Sequence, residues 1–388
     1  MNPLDLAAAV PDPRQFPAVP AAAADLPLYR LAEEGLEAST RLAAQATDAK
    51  LSRDLAERLA GEGAQLARLV DGAPSVAVAR HLWRLLDRIS GETPGGGTLA
   101  VNVFALPLVL VAGIAATRGE ATLAGVLADV DAIAELLRRH GALAGNQSIA
   151  FANVLAGADA LDLARLPEVL AWQRLPGTDG GVAPPRAVRP TPIGVGAGNE
   201  SVHLRFLLGT ALARPGAALF DARTTEPWGM PLAQALGSEL ATANVSLLAL
   251  PRPPRRPLAA LDDGRSAQRE VSVQLFASNA IRKLRASVGE PGAVISAHRS
   301  PEVRAAGELR VSLSSPFEPR DAEGFRCPLF ATDRVGDVVA MLVRLLQDCR
   351  VADIRLLDGI HPDRVAGTTH PLLYKPETIP EGAELRLH

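Results

Sequence analysis

A run of nineteen residues without a charged side chain, from Leu99 to Thr117, constrains the fold of this chain more than any other feature. Its length satisfies the requirement for a helix that crosses a membrane. Asn102 and Pro107 interrupt the run, and neither flank carries the aromatic anchors or clustered Lys and Arg that orient a membrane span. We therefore expect a buried strand at about 99–104, which continues past Pro107 into an apolar helix or a second strand. A membrane-associated component that uses Leu99–Thr117 is kept as an alternative.

The charge balance limits the classes of partner. The 388 residues include 40 Lys or Arg and 43 Asp or Glu, which gives a formal net charge of -3. A protein that coats nucleic acid needs an excess of basic residues to displace counterions, so nucleic acid is not an expected partner. Hydrophobic residues make up 48% of the chain and charged residues 21%, which indicates a globular protein and excludes wholesale disorder.

The cysteines and the N-terminus bear on the compartment. Cys327 and Cys349 are the two cysteines, and no His lies near either of them at the spacing of metal ligands. A disulfide framework and a zinc knuckle are therefore excluded. Residues 1–10 contain Asp5 and no basic segment, so a secretory signal is not expected, and we predict a cytoplasmic location.

Two shifts in composition predict the domain organisation. Residues 1–28 contain six prolines and little periodic pattern, which predicts an irregular N-terminal arm. Residues 176–200 are rich in Pro and Gly and have almost no large apolar side chains, which predicts a linker that builds no core. The fold class predicted is α/β in the broad sense (α+β): a mainly helical N-terminal domain at 29–175, followed by a mixed-sheet α/β domain at 201–388.

Apolar residues at helical spacing support the helical domain. Leucines recur at every fourth position in 51–59, and a second apolar stripe runs through 76–89. The clearest stripe lies at 123–137 and ends in basic residues and a glycine, which suit the C-terminus of a helix. We also predict helices at 149–155 and 161–172.

Alternation with a period of two predicts strands in the C-terminal domain. The predicted strands lie at 204–208, 217–220, 245–250, 271–276, 293–297 and 309–313. Weaker helices are expected at 230–241 and 279–288. A strong helical stripe at 335–349 lies between predicted strands at 328–331 and 354–357, and either Thr332 or Asp333 is placed to cap it. This succession predicts a right-handed βαβ unit.

Carboxylates and imidazoles cluster directly after that unit. Asp358, His361, Asp363 and His370 lie within thirteen residues, and such side chains at loop spacing can ligate a divalent ion. Because ligands bind beyond the carboxyl ends of strands in open α/β sheets, Asp333 would lie nearby. We predict a metal site formed by Asp358, His361 and Asp363. Asp and His are also common turn residues, so a turn without a ligand is the alternative interpretation.

Four further groups are weaker candidates. Residues 91–98 and 194–198 are glycine-rich but lack the Lys and Ser/Thr of a phosphate-binding loop, so we interpret them as turns. Polar residues at the end of one predicted strand can form a Ser–His pair, although this composition is typical of turns: Ser296, His298, Arg299 and Ser300. The same interpretation applies to Asn199, Glu200 and His203. Two basic stretches, at 252–256 and 282–285, have no interleaved aromatic residues for base stacking.

No convergent catalytic set is evident in the sequence, and no cofactor is expected. The arm, the apolar stripes and the arginine-rich, lysine-poor composition are typical of subunit packing. The leading hypothesis is a non-enzymatic structural or assembly protein, which forms a homo- or hetero-oligomer through its arm and apolar helices, with other protein subunits as partners. The alternative is a metal- or phosphate-binding enzyme that uses Asp333, Asp358, His361 and Asp363.

Overall fold

The structure is a computed structural model of the 388-residue chain. It describes residues 10–14, 21–60, 63–91, 100–114, 120–143, 148–174, 188–196, 200–213, 226–240, 242, 244–287, 289–299, 307–314 and 322–361. Helices and sheets both contribute, so the fold class is α+β, as the sequence predicts.

The helices concentrate in the first half of the chain. They are α1 Leu26–Glu37, α2 Arg41–Leu59, α3 Gly63–Asp71, α4 Val76–Ser90, α5 Val130–Arg139, α6 Leu166–Leu170, α7 Glu226–Leu240, α8 Pro257–Ser287 and α9 Val335–Asp348. Side-chain caps start α2, α4 and α5, since Thr40, Ser75 and Asp129 accept hydrogen bonds from the first-turn amides of these helices.

The strands form two sheets of four strands and one sheet of two. They are β1 Ala100–Ile114, β2 Ala121–Leu123, β3 Ile149–Ala156, β4 Ile193–Val195, β5 Ser201–Ala213, β6 Val245–Pro251, β7 Gly292–Arg299, β8 Gly307–Ser314, β9 Ala322–Pro328 and β10 Ile354–His361. The first sheet has the order β3-β5-β1-β6, the second sheet has the order β10-β7-β8-β9, and β2 pairs with β4.

The uncharged segment forms the long strand β1 in the first sheet. It pairs antiparallel with β5 on one side and with β6 on the other. Pro107 fits because its missing N–H lies on the β6 side, where its carbonyl accepts the Arg252 amide at 2.9 Å and the β6 pairing ends. The prediction of a buried strand is correct, and the strand is longer than predicted. No helix in the described part of the chain is long and apolar enough to cross a membrane.

Several predicted elements differ from the structure: the helix predicted at 123–137 begins only at Val130, and the strand predicted at 328–331 is instead β9, which ends at Pro328. Residues 149–155 form β3 rather than a helix, and residues 271–276 lie inside α8 rather than in a strand. The alternation at 271–276 fits a strand, but good helix formers on both sides carry the helix through it. The expectation that nothing in the Pro/Gly-rich stretch joins a core is also wrong, because Ile193 and Val195 of β4 are buried beside the first sheet.

Contacts divide the chain into two compact units, each built from separated segments. The first-sheet unit comprises 31–68 and 84–268, and the second-sheet unit comprises 1–30, 69–83 and 269–388. In the first-sheet unit, strands from before and after the Pro/Gly-rich stretch pair directly as β1 and β5. The predicted strand at 217–220 lies outside the described residues.

The second sheet is mixed, as predicted. β10 runs parallel to β7, whereas β7, β8 and β9 pair antiparallel. β9 and β10 therefore run in the same direction with two strands between them, and α9 connects them. The helix predicted at 335–349 is confirmed, but Arg334 occupies the N-cap position without a side-chain hydrogen bond, so neither Thr332 nor Asp333 caps the helix.

One face of the second sheet forms an apolar core. Alternate residues of β7 and β8 point to this face and pack with α9 and the C-terminal part of α8: Ala293, Ile295, Ala297, Leu309, Val311 and Leu313. Because side chains alternate along a strand, the intervening residues point to the opposite face. Those intervening residues are the candidate functional site.

Candidate functional site

The second face of the second sheet carries buried polar side chains. All eight residues of β8 are buried, although every second one is polar. The members of this polar row are Ser296 and His298 on β7, and Glu308, Arg310, Ser312 and Ser314 on β8. Burying such groups costs free energy unless each of them has a hydrogen-bond or ion-pair partner. The free-energy cost of burying the polar row therefore depends on its partners.

Ser296 and His298 form a hydrogen-bonded pair on β7. The Ser296 Oγ lies 2.8 Å from the His298 Nε2, and the two residues are 0% and 1% exposed. They are two positions apart on one strand, which places both side chains on the same face of the sheet. The Ser–His pair that the sequence allowed therefore exists. Ser300 and the Arg299 side chain lie outside what the structure describes.

Glu308 and Arg310 form an ion pair on the adjacent strand. The Arg310 Nε and Nη2 both lie 2.5 Å from the Glu308 Oε1, and the side chains are 1% and 9% exposed. The guanidinium of Arg326, on β9, approaches the same oxygen at 3.8 Å. One carboxylate oxygen thus receives the arginine contacts, and charge-assisted bonds of this length are strong in a buried site.

The strand register sets these two pairs side by side. Ser296 lies opposite Arg310, and His298 lies opposite Glu308. Side chains opposite each other on an antiparallel pair have Cβ atoms about 4.5–5.5 Å apart. A hydroxyl, an imidazole, a carboxylate and a guanidinium therefore occupy a block of four adjacent positions.

A second Ser-x-His pair lies in the first sheet. The Ser201 Oγ lies 2.8 Å from the His203 Nε2, and it also lies 3.3 Å from the Ala112 carbonyl oxygen. Burial and the nearby Arg205 cation lower the pKa of His203 below its usual value, although a hydrogen bond to the Gly194 backbone opposes this. Its surroundings are thus cationic and apolar, with no carboxylate opposite it in the register.

The residues of the predicted metal site are only partly placed. Asp358 and His361 lie in β10, where His361 is in register beside His298. The side chains of Asp358 and His361, and the whole of Asp363 and His370, lie outside the described residues. Within the described residues, no group of three His, Cys, Asp or Glu side chains could hold a metal ion. The metal site stays a prediction.

Asp333 is engaged in a buried ion pair. Its carboxylate accepts two hydrogen bonds from Arg269, at 2.6 and 3.0 Å, and one from the Phe330 amide at 2.6 Å. Arg14 and Arg80 donate to the Asp333 backbone carbonyl at 3.0 and 2.6 Å. These bonds fix the turn that precedes α9, which is a packing role.

The N-terminal arm is attached to this same turn over its described part. Val10 is 4% exposed in the apolar core of the second-sheet unit, and the Arg14 Nη1 donates to the Phe330 carbonyl oxygen at 2.6 Å. Pro13 packs so closely on Gly307 that a Cβ added there would lie 2.5 Å from the proline Cγ. Residues 10–14 therefore make their contacts within the chain.

The two basic stretches are engaged in ion pairs. Arg255 pairs with Asp263, and Arg256 pairs with Asp87 at 2.6 Å. On α8, Lys283 pairs with Glu323, and Arg285 pairs with Glu290 at 2.8 Å. Intramolecular partners thus occupy much of the charge that the sequence offered for phosphate.

The two cysteines lie in different surroundings. Cys327 is buried, and burial raises the pKa of its thiol to about 12, so it is a thiol at neutral pH. The Cys349 Sγ lies 4.0 Å from the Ser278 Oγ, which is a weak contact.

Sequence reasoning missed Glu308 and Arg310, because they lie on the strand after the Ser–His pair. Their alternation with Leu309 and Val311 reads as one covered and one solvated face, whereas the structure buries both. The signal that the sequence offered was a glutamate and an arginine two positions apart in an otherwise apolar strand.

No family model, curated protein or solved structure matches this chain.

Proposed function

We propose that this chain is a structural or assembly protein that forms a homo-oligomer, with other copies of itself as its partners. The observation that supports this proposal is strand β6, which lies at one edge of the first sheet. Edge strands present unpaired N–H and C=O groups, and proteins usually protect them with charges, prolines or bulges. The sequence VSLLALP of β6 has no charged residue, and its one proline is the last residue.

The outer side of β6 supports strand addition. Within the described residues, no strand of the first sheet lies beyond β6. Leu248, the middle residue of the strand, is 52% exposed, while Val245 and Ala249 are buried toward the core. Helix α7 packs against β6 and exposes Met230 to 63%. An apolar edge with an exposed leucine at its centre is a template for pairing with another strand.

A second copy of this chain is the occupant that fits this edge. An antiparallel pair of identical strands is self-complementary about a two-fold axis, which is the symmetry of the commonest oligomers. An axis through Leu248 places the two Leu248 side chains together and pairs Val245 of each copy with Pro251 of the other. The contacts of Val10 and Arg14 within the chain favour this edge over the arm as the interface.

Light scattering coupled to size-exclusion chromatography tests the proposal on the full chain. We expect the wild-type protein to be a dimer or a multiple of it, and Leu248→Lys to be a monomer, because a charge at a strand edge blocks pairing. The matched control is Leu42→Lys, since Leu42 is 78% exposed on α2 and lies away from the edge in sequence. A monomeric wild-type protein at high concentration would contradict the assembly function. An oligomer that survives Leu248→Lys would contradict the β6 interface.

A metal- or phosphate-binding enzyme is the second candidate function. The observation that favours it is the register position of His361 beside His298. Because Arg269 and the Phe330 amide engage Asp333, this candidate depends on Asp358, His361 and Asp363. Metal analysis of protein purified without chelator tests it: stoichiometric metal that is lost in an Asp358→Ala, His361→Ala double variant supports the site, and protein without metal contradicts a metal enzyme.

A further inference from the structure

The four groups of the polar block match the parts of an acyl-transfer site. Such a site needs a nucleophile hydrogen-bonded to a base, a group that orients the base, and a group that stabilises negative charge. The 2.8 Å bond between Ser296 and His298 supplies the first pair. Glu308 lies opposite the base, and Arg310 lies opposite the nucleophile.

We propose that Ser296 is the nucleophile of an acyl-transfer reaction on a small ester or thioester, with His298 as its general base. The Ser296 Oγ attacks the carbonyl carbon, and the His298 Nε2 takes the hydroxyl proton. The carbon–oxygen or carbon–sulfur bond to the leaving group breaks, and His298 returns the proton to the departing alcohol or thiol. Water then hydrolyses the Ser296 ester by the same route, so that one acid and one alcohol or thiol form for each ester or thioester and water consumed.

The imidazole geometry suits this role. A histidine that accepts the serine proton at Nε2 carries its own proton at Nδ1, and a carboxylate beside Nδ1 stabilises the cation that forms. Glu308 occupies the register position for that carboxylate. The Arg310 Nε donates to the Glu308 Oε1 at 2.5 Å, and the Arg310 Nη2 lies 2.5 Å from the same oxygen. Glu308 is therefore a positioning residue.

Arg310 and the burial of the block provide the electrostatics. Arg310 is 1% exposed, and its position in the register is opposite Ser296, where the oxyanion forms. A fixed cation in a buried site stabilises such a charge far more than it would in solution. Because Ser296 is 0% exposed, an acyl group reaches its Oγ only when this face of the sheet opens locally, which favours a small group.

The chain carries its own control in the Ser201–His203 pair. The Oγ–Nε2 distance is the same, 2.8 Å, but Ala112 and Leu110 lie opposite these residues instead of an arginine and a carboxylate. A serine–histidine bond alone is thus present twice, whereas the complete block is present once among the described residues. If the reaction depends on all four groups of the block, Ser296 should react and Ser201 should not.

Covalent labelling of the full-length protein tests the proposal. Methanesulfonyl fluoride is a small probe whose sulfur is attacked by an activated serine, with loss of fluoride and a proton. We expect the wild-type mass to rise by one methanesulfonyl group, and peptide mapping to place that group on Ser296. Ser201→Ala should be labelled as fully as wild type, and Ser296→Ala should not be labelled. Because mapping on the wild-type protein decides the outcome, the test holds even if Ser296→Ala fails to fold. An unlabelled wild-type protein, or a label on another residue, would overturn the proposal.

The hydrolysis of p-nitrophenyl acetate provides a second readout that separates the roles. His298→Gln should lower the rate by about 10²-fold or more, the usual contribution of a general base. Glu308→Gln should move the pH midpoint of the rate to lower pH, because the imidazolium loses its stabilising carboxylate. A Glu308→Gln rate profile with an unchanged midpoint would overturn the positioning role, and wild-type labelling that survives His298→Gln unchanged would overturn the role of the base.

Discussion

The first and second sheets contain the same number of strands but bury different chemistry on their second faces. In the first sheet, both faces are mainly apolar: Phe104 and Leu110 point to one face, and Val103 and Val109 to the other. In the second sheet, one face is apolar and the other buries Ser296, His298, Glu308 and Arg310 together with further serines.

The difference between the two second faces distinguishes residues that only pack from residues that also bring polar chemistry into the interior. Apolar faces stabilise a fold roughly in proportion to the area they bury, and many residues satisfy them. A buried polar row contributes little or negative net stability, because its desolvation offsets its hydrogen bonds. The first sheet therefore has the composition of a stable scaffold, and the second sheet buries groups that add little to stability. Four predictions test this contrast.

The largest effect is expected from Arg310→Ala in the second sheet. This change leaves the Glu308 carboxylate buried without its 2.5 Å partner, which typically destabilises a protein by about 3–5 kcal/mol. Urea unfolding followed by circular dichroism measures the loss. A double variant, Glu308→Leu with Arg310→Met, should recover most of it, since apolar replacements of both partners remove the desolvation penalty. If the double variant is no more stable than Arg310→Ala, the Glu308–Arg310 pair makes a net favourable contribution to the free energy of unfolding, contrary to the prediction.

Leu110→Ala should produce a cavity effect of about 2–5 kcal/mol in the first sheet. Leu110 is 0% exposed and packs in the core with α5 and α7. Unlike Arg310→Ala, this variant leaves no unpaired charge behind. A second substitution of a neighbouring apolar residue should therefore not restore its stability. The same urea titration checks the value, and a loss below about 1 kcal/mol would mean that the site collapses around the smaller side chain.

Ser296→Ala and Ser201→Ala compare the two Ser-x-His pairs directly. We expect Ser296→Ala to cost about 1–3 kcal/mol, because it leaves a buried imidazole nitrogen without its partner. Ser201→Ala should cost less, since His203 is only half-buried and water can replace the hydroxyl. Thermal unfolding of both variants side by side measures the difference. Equal losses of stability would show that the two Ser-x-His pairs contribute equally to packing.

The smallest effect is a pH dependence that belongs to His203. Burial and Arg205 depress its folded pKa, so the unfolded chain binds the proton more tightly. The contribution to stability is present above the unfolded value of about 6.5 and is lost as the pH falls toward the folded pKa. His203→Gln should therefore flatten the decline in melting temperature between pH 7 and pH 5. If the melting temperature of the variant falls with pH as steeply as that of the wild type, other titratable groups cause the decline.

Local patterns predicted some elements well and failed where long-range pairing decides. The stripe that ends at Cys349 predicts α9 to within one residue, because a helix and its buried face are encoded in contiguous positions. The apolar run at 149–155 fits both helix and strand, and the alternation at 271–276 predicts a strand where the structure has α8. Pairing of β1 with β5 across the Pro/Gly-rich stretch has no local signal.

The candidate site follows the same rule. The sequence predicts the Ser296–His298 pair because the two residues lie two positions apart on one strand. Their relation to Glu308 and Arg310 depends on the register of the hairpin formed by β7 and β8, which a one-residue slip would reverse. The sequence shows all four residues, but only the paired strands show that they are adjacent.

The attachment of the arm has a consequence for the order of events during synthesis. Arg14 donates to the carbonyl oxygen of Phe330, a residue 316 positions later in the chain. At a translation rate of about 5–20 residues per second, roughly 15–60 s pass before this acceptor exists. Residues 10–14 therefore lack their final contacts while the rest of the chain is synthesised, and they are exposed to chaperones and proteases although the helices that follow them are already able to form.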